Sequence, residues 1–252
     1  MKRFLDATSA AFSYFSILPV IRREAAPPPG SDSLLALPLV GVAIGGIAGL
    51  SARLVARVSS VPLSAAVAFG LSIGLSGAIH VDGFLDCSDA MFAAVGPTRR
   101  LEILKDPHHG SFAIAAMAMI STVWLAALET CRVQRLPPIL AYSAALARYA
   151  AIVNATVFPA ASGARSTKAL HAPLRADALL AGAALFVVAA RILGPRVWVT
   201  LPLSVIGSLS LGHLIVRRFG GGLTGDAYGL LIVTLEPAII AVTATLTNDE
   251  GT

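Results

Sequence analysis

The chain has 252 residues, 56% of them apolar and 13% charged, with a mean hydropathy of +0.78. Soluble domains carry about a quarter charged residues, so this composition excludes an ordinary soluble protein and points to an integral membrane one. The net charge of +5 comes with no basic run or aromatic-interleaved basic patch, which argues against a nucleic-acid partner and for the positive-inside bias of membrane loops.

In chain order, residues 1–20 hold Asp6 and no long apolar run, and read as an interfacial amphipathic helix rather than a cleaved signal. A short linker follows at Ala25-Ala26-Pro27-Pro28-Pro29-Gly30. Apolar stretches long enough to cross a bilayer then recur at 34–56, 61–79, 112–128, 137–157, 176–193, 197–216 and 227–246. Only Arg57, Val58, Ser59 and Ser60 separate the first two, which predicts a tight helical hairpin, and the small residues of 41–49 suit close helix packing. The expected fold is an all-α polytopic helical bundle of about seven transmembrane helices, with the lipid bilayer as its main partner. Neither repeats nor a second domain are visible, so 1–252 reads as one catalytic domain.

The most informative stretch is His80-Val81-Asp82-Gly83-Phe84-Leu85-Asp86-Cys87-Ser88-Asp89. On a helix, Asp82, Asp86 and Asp89 at i, i+4 and i+7 share one face. Like charges so close repel unless a cation or a phosphate-bound metal neutralises them; a solvated acidic helix start is the plain alternative. Oxygen-only ligands favour Mg²⁺, Ca²⁺ or Mn²⁺ over Zn²⁺. Asp106 and Asp226 could complete the shell, with a helix-capping role open for Asp106. Gly83 would let a diphosphate approach the backbone, and the run Gly220-Gly221-Gly222-Leu223-Thr224-Gly225 could offer N–H groups to phosphate or simply turn the chain. Lys105 could pair with phosphate or stay solvated. Arg148, inside a span, requires an anion, either a motif acid or substrate. His80 could accept a proton or orient Asp82, and Asp89 is the other candidate base. His108, His109, His171 and His213 read as ordinary loop or packing residues, and Cys87 as packing; Cys87 and Cys131 fall on opposite sides and should not pair.

With a cytoplasmic N-terminus, the inner segments hold Lys2, Arg3, Arg22, Arg23, Arg99, Arg100, Lys105, Arg165, Lys168, Arg175, Arg217 and Arg218, against Arg53, Arg57, Arg132, Arg135, Arg191 and Arg196 outside. That bias favours the cytoplasmic N-terminus of a cell-membrane protein. It also gathers 80–111, 158–175 and 217–226 on one cytoplasmic face, and the acidic motif and the glycine run lie in those loops.

The motif His-x-Asp-Gly-x-x-Asp-x-x-Asp, followed by Arg100-Leu101-Glu102-Ile103-Leu104-Lys105-Asp106 and Gly110, resembles the cobalamin synthase family. So do Phe15-Ser16-Ile17-Leu18-Pro19-Val20, Leu37-Pro38-Leu39-Val40-Gly41 with Gly45, Arg148, and Gly221-Gly222-Leu223-Thr224-Gly225-Asp226, all in the family's order. Departures are Ala90 where the family has Gly, Tyr149 where it has Trp, and Val233 where it has Glu, with Glu236 retained.

The resemblance implies a Mg²⁺-dependent adenosylcobinamide-GDP ribazoletransferase. Such an enzyme joins adenosylcobinamide-GDP to α-ribazole or its 5′-phosphate and releases GMP. Asp82, Asp86, Asp89, Asp106 and Asp226 are then the expected metal ligands, His80 and Asp89 the catalytic candidates. Gly83, Lys105, Arg148, Gly222, Thr224 and Gly225 are the expected substrate contacts. A homo-oligomer or a complex with other cobalamin-assembly enzymes is compatible with this reading. Two rivals are a CDP-alcohol phosphotransferase, whose Ala-Arg after Asp-Gly and wider Asp spacing are absent, and a secondary transporter, whose acids would lie deep in the spans.

Overall fold

A computed structural model describes residues 2–19, 30–161 and 176–248. The loop basic residues Arg22, Arg23, Arg165, Lys168 and Arg175, together with His171 and most of the Pro-rich linker, lie outside them. The described helices are α1 (Lys2–Phe15), α2 (Ser31–Leu35), α3 (Leu37–Val55), α4 (Val61–Leu75), α5 (Ile79–Phe92), α6 (Pro97–Ile103), α7 (Ser111–Glu129), α8 (Leu136–Val157), α9 (Ala176–Leu193), α10 (Thr200–Arg218) and α11 (Gly225–Asn248).

Among the described residues, five apolar helical stretches are long enough to cross a membrane: Asp32–Val55, Ser111–Glu129, Val133–Val157, Pro195–Arg218 and Gly225–Asn248. The stretches containing α8 and α11 are 78% and 67% buried within the protein, whereas those of α7 and α10 are 22% and 28% buried. The first pair therefore forms the inner bundle, and the second turns side chains such as Ile114, Met119, Val123, Leu203 and Ile206 outward to lipid. The α3–α8 contact is the most extensive, because Gly41, Gly45 and Gly49 recur every fourth residue along one stripe of α3. A Cβ added at Gly41 or Gly49 would stand 2.7 or 2.6 Å from α8 backbone, and one at Gly45 would overlap the Leu140 carbonyl. Small residues at this spacing let two helices touch backbone to backbone in lipid.

Among the described residues the count is five spans, or six if α4 and α5 form one, beside the about seven expected. The stretch 61–79 is not one helix: α4 stops at Leu75 and α5 leaves at 90°, so the pair forms at most a sixth span. The break is a Schellman-type stop. Gly77 (φ 64°) donates to the Gly74 carbonyl, and Ala78 (φ 58°) donates to that of Ile73. Hydropathy alone runs straight through this stop, since the residues around it remain apolar. In the expected fifth span, 176–193, helix α9 runs from Ala176 to Leu193, and its described apolar stretch is Gly182–Leu193.

Long-range ties sort the loops to two ends of the bundle. At one end, Arg218 donates to the Met91 carbonyl, Leu223 pairs with Ala160, and Gly220 lies against Pro97. At the other, Arg132 donates to the Asn248 carbonyl, Asn248 to that of Thr130, and Arg135 to that of Ile192. The described parts of the three segments expected on one face do meet at one end. Cys87 and Cys131 are both free and buried.

Candidate active site

The site forms where the N-termini of α5 and α11 cross. Gly83 on α5 faces the Asp226 backbone so closely that a Cβ there would stand 2.8 Å from the Asp226 Cα. Gly229 on α11 in turn faces the His80 carbonyl and the Gly83 Cα. Reciprocal glycines thus clamp the two helices together, and the clamp sets the acids side by side. Asp82 and Asp226 each occupy the first turn of their helix, where the helix dipole favours negative charge. Asp82 is exposed, and Asp86, one turn along α5, keeps 17% of its side chain accessible. Both Asp82 and Asp226 act on Asp86 electrostatically, so three like charges share this crossing.

His109 Nδ1 lies 3.4 Å from Asp86 Oδ1, although its sequence position reads as plain loop. No spacing rule could have found it, because the approach depends on how the 104–110 turn folds back over α5. At the other end of α5, Arg100 donates to the Ala90 and Met91 carbonyls and Arg218 joins it on Met91. Cations at that terminus complement the dipole that the acids answer at the start.

Other expected site residues have different surroundings. Asp89 shares the sequence stripe of Asp82 and Asp86, yet its two oxygens accept the N–H groups of Gly110 and Ala113. It supplies from α5 the cap that Gly110, at the start of α7, cannot supply itself, and a Cβ at Gly110 would collide with it. Asp89→Ala should therefore cost about 1–2 kcal/mol of stability, read as a lower melting temperature with activity falling in proportion to folded protein. Asp106 accepts the His108 N–H at 3.0 Å and faces the His108 ring at 2.9 Å. These bonds, the N–H first, hold its carboxyl below the usual range. It belongs to its own exposed turn rather than to the acid crossing. Lys105 stands exposed just beyond α6.

In the glycine run, Gly222 abuts the backbone of Ala160 and Ala161, and Thr224 Oγ1 accepts the Ala227 N–H to cap α11. Both hold the α11 N-terminus in place. Arg148, 2% exposed, pairs with Glu236 at 3.1 Å and donates to the Ala144 carbonyl at 2.9 Å. Its anion is thus the retained Glu236 of α11, not a motif acid. The rule that a charge within a span requires a partner foretold the pair but not which acid would supply it.

Beside the crossing lies a cleft of about 270 Å³, lined by Tyr14 and Phe15 of α1, Leu34 and Leu37, His80 and Asp82 of α5, Ala151, Ile152 and Ala155 of α8, and Gly225, Asp226, Tyr228, Gly229 and Ile232 of α11. His80 is 6% exposed, stacks on Phe15 at 6.1 Å, and its Nε2 has no hydrogen-bond partner.

Among the described residues, no three Asp, Glu, His or Cys side chains converge closely enough to cage a metal ion. The donor chemistry nonetheless fits a hard divalent cation. Asp82, Asp86 and Asp226 are oxygen donors that repel one another when the site is empty of positive charge. Mg²⁺ commonly takes one or two carboxylates and completes its shell from substrate phosphates and water.

A family model described as cobalamin-5-phosphate synthase matches residues 7–244. An adenosylcobinamide-GDP ribazoletransferase of Deinococcus radiodurans is 33% identical over 245 residues, covering 95% of this chain and 86% of that protein. Proteins of the same name from Stutzerimonas stutzeri and Pseudomonas putida are 32% and 34% identical, each match covering 91% of this chain and 94% and 95% of theirs. No solved structure matches the chain.

Proposed function

The chain belongs to the cobalamin-5-phosphate synthase family, and from that premise we propose how its residues carry the reaction. It is an adenosylcobinamide-GDP ribazoletransferase of cobalamin biosynthesis, joining adenosylcobinamide-GDP to α-ribazole or its 5′-phosphate with release of GMP. The whole-length match sets aside the CDP-alcohol phosphotransferase and transporter readings. In the transfer, a ribose hydroxyl oxygen bonds to the phosphorus on the cobinamide side as the bond from that phosphorus to the GMP oxygen breaks.

Asp82, Asp86 and Asp226 are the residues that would hold Mg²⁺, and the acid crossing is the observation that carries this assignment. The bound ion would neutralise the diphosphate and stabilise the departing GMP. The Gly83–Gly229 clamp fixes the spacing of the three carboxylates, so they are positioned before substrate arrives. His80, which lines the same cleft as Asp82, would accept the attacking hydroxyl's proton or orient Asp82. Gly225 lines the same cleft, whereas Gly222 and Thr224 act by seating Asp226. The sorting of loops to one end, with the sequence's positive-inside bias, supports a cytoplasmic mouth in a cell membrane.

Chelation tests the metal assignment. Purified protein in liposomes should lose all turnover in excess EDTA and regain it with Mg²⁺ or Mn²⁺. Full turnover in EDTA would remove the metal from the reaction.

A further inference from the structure

We propose that the cleft beside the acid crossing seats the acceptor, an aromatic-base nucleoside, and that the corrinoid donor stays outside it; the assignment rests on the family's reaction. At about 270 Å³ the cleft lies at or below the small end of ligand cavities, commonly about 300–1,000 Å³. A nucleoside is of that order, whereas a corrin macrocycle carrying a nucleotide is several times larger.

The walls match a flat aromatic base. Leu34, Leu37, Ile152 and Ile232 are apolar, and the rings of Phe15 and His80 lie nearly parallel at 18°. A ring against such surfaces gains stacking and buried apolar area together. The polar groups match the other part of a nucleoside. Asp82 and Asp226 line the same cleft and can accept hydrogen bonds from ribose hydroxyls. The His80 side chain is buried, and its unpartnered Nε2 is a polar group that a ligand hydroxyl or ring nitrogen would satisfy. Base against the apolar walls and sugar toward the acids would deliver the attacking hydroxyl to where the donor's diphosphate is held.

The test fills the cleft from its α8 wall, at a residue whose side chain carries no polar group. Ala155→Phe should raise the KM for α-ribazole by at least about tenfold and leave that for adenosylcobinamide-GDP within about twofold. Equilibrium dialysis with α-ribazole alone should show the same loss of binding. If Ala155→Phe fails to insert in the membrane, Ala155→Val gives the same split at smaller size, since less volume is added. A KM rise confined to adenosylcobinamide-GDP, or no change in either KM, overturns the assignment while leaving the family reaction intact. Absence of turnover by the unsubstituted protein overturns the family reaction, and this assignment with it.

Discussion

Asp82→Asn and Asp86→Asn should each lower kcat by at least about 10², while the folded protein becomes no less stable. The loss is of the size seen when one group that stabilises transition-state charge is removed. The stability half of the expectation comes from the geometry. Asp82, one turn earlier on α5, and Asp226, across the α5–α11 crossing, both act on Asp86, so replacing one carboxylate by its isosteric amide relieves like-charge repulsion without changing shape. A site kept at a cost in stability behaves in this way, losing function and keeping or gaining melting temperature. Asp226→Asn should follow the same pattern. Asp89→Ala should not, because its activity loss tracks unfolding. Measuring kcat and melting temperature on the same preparations separates the two groups. An Asp82→Asn protein with normal kcat would remove Asp82 from the metal set.

The second large effect is on folding. Glu236→Ala should destabilise the protein by about 3–5 kcal/mol, the cost of stranding one partner of a buried ion pair. Arg148 and Glu236 are 2% and 3% exposed, and among the described residues Arg148 makes no other salt bridge. Removing both charges together, as Arg148→Met with Glu236→Leu, should recover most of the loss, because apolar residues of similar volume can replace a buried pair. Urea or thermal unfolding in detergent provides the double-mutant cycle. A single substitution as stable as the parent would mean that the pair is not closed in the membrane.

The sequence made the acids of α5 legible because a helix repeats every 3.6 residues, and Asp82 and Asp86 obey that rule. The same rule placed Asp89 with them, but its carboxylate turns to the N-terminus of α7. That use depends on where a helix 21 residues later begins, which no local spacing encodes. Gly83 read as room for a ligand, whereas its missing side chain makes room for Asp226. In both readings the glycine permits close approach, and only the tertiary structure says of what. His109 was hidden for a similar reason, since a loop must fold back before it can meet Asp86. The bundle was legible from hydropathy, yet the bend between α4 and α5 was not. The stop signal there, Ser76-Gly77, is a local backbone matter that a span-length average of apolar character dilutes.

The central claim, that this bundle transfers the cobinamide phosphoryl group from GMP to ribazole, is tested most directly by following both products at once. Purified protein in liposomes is supplied with adenosylcobinamide-GDP, α-ribazole and Mg²⁺, and cobalamin and GMP are quantified over time. The account predicts that the two appear in equal amounts and that GMP release stops when α-ribazole is omitted. GMP released at the same rate without α-ribazole, or no corrinoid product from intact membrane-inserted protein, would contradict it.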